Sequence, residues 1–203
     1  MLKLTIAMIV ATAAIAFSPA RAMPPVDEAA PSFSSVTSAG ETIALEDFKG
    51  KRVVLEWTND GCPFVRKHYD TGNMQATQRQ ARADGVVWVT VISSAPGKQG
   101  YADAARANDL AKTNNAAPDY ILLDPDGAVG RLYDAKTTPQ MVLIDEAGVL
   151  RYEGAIDDKP SANHKTVDGA HNYLIAALDE LKAGAPVTDK QTKPYGCSVK
   201  YKN

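Results

Sequence analysis

Four stretches of the chain are almost uninterrupted in apolar, β-favouring residues, and segments with helical spacing lie between them. Residues 52–57 (Arg52-Val53-Val54-Leu55-Glu56-Trp57) and 86–92 (Val86-Val87-Trp88-Val89-Thr90-Val91-Ile92) have the pattern of central strands covered on both faces. Residues 120–123 and 141–144 are two more such runs. The turn Asp145-Glu146-Ala147-Gly148 then leads into Val149-Leu150-Arg151-Tyr152, which predicts a terminal hairpin. A short strand is expected at 42–45. Helices are predicted over 63–83, with a kink at Gly72-Asn73, and over 99–112. A third is predicted over 166–182, where Val167, Ala170, Leu174, Leu178 and Leu181 recur at intervals of three and four before Gly184 and Pro186. This alternation predicts an α/β domain with a central mixed sheet flanked by helices. It occupies residues 39–184, after an extended lead-in at 23–38 and before a polar tail at 185–203 that carries Cys197. No internal repeat is visible.

Residues 1–22 have the pattern of an export signal. Lys3 provides the positive start, residues 4–17 are apolar except for Thr5 and Thr12, and Ala20-Arg21-Ala22 offers a small-x-small cleavage site. An uncleaved anchor is the alternative, but the run is short for a membrane span. Cleavage after Ala22 would leave 181 residues and, with Lys3 and Arg21 gone, shift the net charge from −2 to −4. A length near 180 is that of a single domain, and 45% hydrophobic with 23% charged residues is ordinary globular composition. The acidic balance, without a basic run, excludes nucleic acid as an expected partner. After the leader no segment is apolar enough to span a membrane. The expected location is secreted or periplasmic, an oxidising space in which the chain's two cysteines can pair or do redox chemistry.

The most informative segment is Trp57-Thr58-Asn59-Asp60-Gly61-Cys62-Pro63-Phe64-Val65. A buried strand ends, a polar loop follows, and Pro63 suits the first position of a helix because its missing N–H would have no partner there. The Cys62 sulfur then lies by the unpaired N–H groups and positive dipole end of that helix, which favour the thiolate. A buried, inert cysteine is the alternative.

The segment resembles the first strand and active-site turn of the thioredoxin-like superfamily. Asp124-Pro125-Asp126-Gly127, Thr138-Pro139 and Val142-Leu143-Ile144-Asp145 with Gly148 resemble later landmarks of its redoxin group, the AhpC/TSA and peroxiredoxin-like proteins. The resemblance covers residues 31–181 and implies a thioredoxin-like fold. It also implies a cis Pro139 facing Cys62 and a Thr138 backbone that pairs with bound thiol substrates. Without it, an ordinary trans proline at a strand's start would be the reading. Two departures matter. Val65 stands where thioredoxins have their second cysteine, so no local disulfide can form. Asn59 stands where peroxiredoxins place a threonine, with Thr58 one position earlier, and no arginine aligns near Pro139. Arg66, one helical turn past Cys62, is the nearest substitute.

Cys197 lies eleven residues past Pro186. An extended tail of that length reaches ~36 Å at ~3.3 Å per residue, against a radius of gyration of ~16 Å for such a domain. Cys197 can therefore act as a distant resolving cysteine for an oxidised Cys62, docked by Tyr195-Gly196 and Val199, or form a permanent staple with it. Glu56 matches either the buried acid that accepts a proton in thioredoxins or a surface glutamate. His68 is either a base near the thiol or a half-exposed helix histidine. Asp124 and Asp126 have the look of a turn, since the other ligands of a calcium loop are missing.

The leading expectation is an exported thiol oxidoreductase with Cys62 as nucleophile, working on a protein dithiol or disulfide, or on a peroxide, and needing no cofactor or resident metal. The alternatives are a copper-delivery protein with Cys62, Cys197 and His68 as ligands, and a silent binding module stapled by its disulfide.

Overall fold

The computed structural model of the chain describes residues 24–202; the leader expected over 1–22 lies outside them. A small antiparallel hairpin, β1 (Ser34–Val36) and β2 (Thr42–Ala44), precedes the central sheet. That sheet has the order β5-β4-β3-β7-β8. It comprises β3 (Val53–Trp57), β4 (Val87–Ile92), β5 (Tyr120–Leu123), β7 (Gln140–Ile144) and β8 (Leu150–Gly154). β3, β4 and β5 run parallel, and β7 and β8 complete the sheet antiparallel. The mixed sheet and the terminal hairpin are those predicted. Asp145 shapes the hairpin turn by accepting the amides of Ala147 and Val149, each at 2.9 Å.

Strand alternation divides the core. Val53, Leu55 and Trp57 face one side with Val89, Val91, Val142 and Ile144, under Phe33, Phe48 and Tyr133. Val54, Trp88, Met141, Leu143 and Tyr152 face the other side. There they meet α1 (Pro63–Asp70), α2 (Asn73–Ala83) and α5 (Tyr173–Lys182), while α3 (Ala104–Thr113) packs on β5. Large side chains buried in this way contribute roughly 1.5–3 kcal/mol each.

Helix ends depart from the periodicity where a local cap overrides it. The segment 63–83 is two helices, because Gly72 takes a left-handed φ of 77° between them. The helix expected from residue 99 starts at Ala104, where the Asp103 carboxylate accepts the Arg106 amide at 2.9 Å. The helix expected from 166 starts at Tyr173, where Asn172 accepts the Ile175 amide at 3.0 Å. Val167 and Ala170 therefore lie in the preceding loop, after a short 3₁₀ turn at His164–Thr166. α4 (Ala128–Leu132) was not predicted. It is a single turn whose Val129 and Gly130 amides are accepted by the buried Asp124 carboxylate. That is the turn role expected of Asp124.

Both terminal segments are tied to the sheet. β8 is an edge strand, and an open edge invites pairing with another chain. The lead-in covers its start, with Asp27 and Glu28 exchanging backbone hydrogen bonds with Leu150. The tail covers its end, with the Glu153 amide donating to Lys190 O (3.1 Å) and the Thr192 amide donating to Glu153 O (3.1 Å). Beyond Tyr195 the tail forms β9 (Cys197–Ser198), paired antiparallel with β6 (Thr137–Thr138). It then continues to Lys200, whose carbonyl accepts the Ala95 amide at 2.8 Å. The polar tail is thus a strap across the end of the sheet, held by backbone pairing that no hydrophobic pattern announces.

Thr192 fastens the first half of the strap: its hydroxyl accepts the Ala155 amide at 3.0 Å and bonds the Tyr152 hydroxyl at 2.7 Å. Thr192→Val keeps the shape but leaves that amide without its acceptor. The expected cost is about 1–3 kcal/mol, read as a lower urea midpoint with an unchanged m-value.

Candidate active site

The loop from β3 to α1 is built by its own side chains. Asn59 is buried and accepts the Gly61 amide at 2.9 Å, while its amide nitrogen donates to Gln99 O at 3.3 Å. The Cys62 amide returns to Asn59 O at 3.0 Å. Asn59 is therefore the scaffold of the loop, and Thr58 is held by its backbone to Val91 O at 3.1 Å. Cys62 occupies the N-cap of α1 with Pro63 at the first helical position, as predicted.

Opposite this loop the Thr138–Pro139 bond is cis. The Cys62 thiol donates to Thr138 O at 3.1 Å. On the outer side of Thr138 the register of β6 and β9 sets Cys197 directly against it. Both cysteines are unbonded thiols; Cys62 has no exposed surface and Cys197 is half-buried. Burial alone would raise the Cys62 thiol. The Cys197 thiol, the Val65 and Cys197 amides and the Thr138 hydroxyl all stabilise its anion, and together they hold it below the ordinary cysteine value. Burial and the neighbouring Cys62 sulfur push Cys197 up to about 12, against a small opposing pull from Lys200. Cys62 is the better thiolate, and Cys197 keeps its proton.

Gly196 makes this approach sterically possible. Its φ is 138°, and a Cβ there would collide with the Thr138 carbonyl oxygen.

The supporting residues divide into those near the sulfur and those away from it. Glu56 is fully buried and is not a surface glutamate. Its carboxylate accepts Tyr69 Oη (2.8 Å), Trp88 Nε1 (2.8 Å), Gln78 Nε2 (3.0 Å) and Thr90 Oγ1 (3.2 Å). Burial raises its pKa despite these donors. Arg66 is exposed and faces Asp70 at 3.8 Å; it is not among the groups around the Cys62 sulfur. His68, expected to be half-exposed, is completely buried. Its Nε2 lies 3.2 Å from the Tyr195 hydroxyl and its Nδ1 2.8 Å from Asn73 Nδ2. Lys67 and Asp157 join it and were not anticipated, because a buried lysine and aspartate carry no signal in a hydrophobic pattern.

Among the described residues no three His, Cys, Asp or Glu side chains come together as metal ligands, so the set expected for copper is not assembled. An apolar cleft between the loop and α3, lined by Asn59, Val65, Tyr69, Ile92 and Leu110, adjoins the site without including Cys62.

The Redoxin family model matches residues 25–174, from the lead-in through the hairpin to the start of α5. The chain belongs to the Redoxin family. Solved structures agree on the thioredoxin-like architecture. A conserved protein of Geobacillus kaustophilus is 28% identical, with a TM-score of 0.75 over 88% of this chain and 93% of its own. A protein of Sinorhizobium meliloti is 20% identical, with a TM-score of 0.74 over 89% and 97%. A putative thiol:disulfide interchange protein DsbE from Chlorobium tepidum is 24% identical, with a TM-score of 0.54 over 76% and 98%. No curated protein matches the sequence. The family model ends at residue 174, so the strap and Cys197 of this redoxin lie outside the matched region.

The buried histidine gives a measurable pH signature. Burial, helped by the adjacent Lys67, lowers His68 from 6.5 to about 4 in the fold. Between those values the unfolded chain binds the proton and the folded chain does not, so stability is lost as pH falls from 6.5 toward 4. The loss amounts to about 3 kcal/mol at ~1.4 kcal/mol per pH unit. Glu56 and Glu153, whose values burial raises, act in the opposite sense. The measurement is therefore the difference in urea stability between wild type and His68→Gln from pH 7 to 4, and the wild type should lose more.

Proposed function

We propose that this redoxin is an exported two-cysteine thiol oxidoreductase in which Cys62 attacks an oxidised substrate and Cys197 resolves the product. The observation that carries this reading is the pair of free thiols gathered at the Thr138 edge: Cys62 donates to the Thr138 carbonyl and the strand register sets Cys197 against the same residue, with the Cys62 thiol lowered and the Cys197 thiol raised by their surroundings. With a disulfide substrate, the Cys62 thiolate attacks one sulfur and expels the other as a thiol, forming a mixed disulfide. The Cys197 sulfur then attacks Cys62, its proton leaving with the second substrate thiol. The substrate gains two electrons and the protein loses two as a Cys62–Cys197 disulfide. With a peroxide, Cys62 takes one oxygen as a sulfenic acid and an alcohol or water departs. Cys197 then closes the disulfide with loss of water. An external dithiol restores both thiols.

The N-cap position of Cys62, the cis-proline loop facing it and the family membership all support this reading. Export is supported by the leader pattern of residues 1–22 and by a two-cysteine cycle that suits an oxidising space. The buried Glu56, tied to α1 through Tyr69, supports a role as a proton acceptor behind the loop.

The test is turnover of a peroxide and of a model disulfide with a dithiol reductant, followed by mass spectrometry of alkylated protein. Cys62→Ser should abolish both reactions. Cys197→Ser should retain one round of oxidation and accumulate Cys62 as a sulfenic acid or mixed disulfide. The wild-type disulfide should open between about −120 and −270 mV. A bond still closed below about −300 mV would mark a structural staple instead.

A further inference from the structure

Under the strap lies a buried polar cluster for which the two-thiol chemistry has no use. Lys67, His68 and Asp157 are each at most 2% exposed. Lys67 Nζ reaches Asp157 Oδ2 (3.4 Å), Lys159 O (3.0 Å) and the Tyr195 hydroxyl (3.1 Å), which uses all three of its donors. The Tyr195 hydroxyl donates its only proton to Asp157 Oδ1. It must therefore accept from His68, which fixes the histidine as the neutral Nε2–H tautomer, with Nδ1 accepting from Asn73. The Tyr195 ring packs edge-on against Phe64 at 5.9 Å, in the first turn of the helix that Cys62 caps.

A buried ammonium, imidazole and carboxylate are costly to bring together, and an apolar trio would fill the same space at less cost. What they hold is the strap. Only Gly196 separates Tyr195 from Cys197, and Gly196 is pressed against the Thr138 carbonyl. On the far side of Cys197 the Val199 amide donates to Lys136 O at 2.9 Å.

We propose that Tyr195 is a positioning residue: its hydroxyl, gripped by Lys67, His68 and Asp157, docks the strap so that Cys197 lies on Cys62 and covers the Thr138 edge. This rests on the thiol reading above and adds to it what sets the position of Cys197. The anchor acts through geometry, and neither Tyr195 nor its partners exchange electrons or protons with the substrate.

Tyr195→Phe keeps the ring against Phe64 and removes only the grip; Asp157 keeps Lys67 and the Lys159 amide, 3.0 Å away. Two readouts follow on the full mature chain. The first is the glutathione equilibrium of the Cys62–Cys197 disulfide, expressed as an effective concentration. The second is the rate at which iodoacetamide alkylates Cys62 in the reduced protein, taken at its high-pH plateau. Tyr195→Phe should lower the first at least tenfold and raise the second at least tenfold. Asp103→Ala, which loses the α3 cap and hence stability without touching the strap or its anchor, should stay within twofold of wild type on both. If Tyr195→Phe also stays within twofold on either readout, or if Asp103→Ala moves as far, the proposal is overturned. Should no Cys62–Cys197 disulfide form in the wild type at any glutathione ratio, the thiol reading falls. The alkylation ratio alone then decides the anchor by the same limits.

Discussion

Thr138 and Cys197 face one another across a two-residue antiparallel pair, and the arrangement of the site follows from that pairing. It sets the second sulfur against the first, covers the cis-proline edge and removes Cys62 from solvent. It also explains the sequence around it. Only a glycine can pass the Thr138 carbonyl at position 196, and only an extended tail can reach the edge from the far side of the sheet. The same strap closes the open edge of β8 on its way, so one segment protects the sheet and completes the site.

A sulfur that is both buried and easily ionised needs a reason, because burial works against the thiolate. Here the opposing contributions come from elements that meet only in the folded state: the amide end of α1, the hydroxyl of the proline loop, and the amide and thiol of the strap. Removing water strengthens each of those interactions as it raises the cost of the charge. On the proposed cycle the asymmetry between the thiols would give the pair a direction, since the sulfur that attacks and the sulfur that holds the proton would already be distinct. Glu56 lies one layer deeper. Its four donors come from β4, α1 and α2, so it fastens the helices that present Cys62 to the sheet that supports them.

The sheet was legible because its strands are covered on both faces, which leaves runs such as Val53–Trp57 with almost no polar residue. Cys62 was legible for a related reason: strand, polar loop and proline in that order locate a helix N-terminus without any tertiary knowledge. Helix starts were misread where Asp103 and Asn172 cap the backbone later than the apolar spacing begins. That spacing continues through Val167 and Ala170 even though Gly169, at a φ of 69°, turns the chain there. Glu56 could not be assigned to surface or interior, because one carboxylate in an apolar run is compatible with either until its donors are known. The strap was the least legible part. Tyr195, Lys67, His68 and Asp157 come from three distant segments and are joined by polar contacts, which have no period.

Coverage of the Thr138 edge bears on the kind of substrate the proposed chemistry can serve. A protein disulfide that pairs along this edge must first displace β9. A tethered segment holds its site at an effective concentration on the order of millimolar. A free peptide of equal intrinsic affinity at ~1 μM is therefore outcompeted by about a thousandfold. A small peroxide or low-molecular-weight disulfide does not pair along the edge, and needs only enough opening to reach the buried Cys62 sulfur. On the proposed cycle the docked strap would be an advantage once Cys62 had reacted, because Cys197 would already be held beside it and closure would precede diffusion of the intermediate into solvent. On the proposed cycle the strap would thus select against large partners at the first step and accelerate the second. On the thiol reading, that division favours small oxidants as substrates and leaves proteins to the reductive half of the cycle.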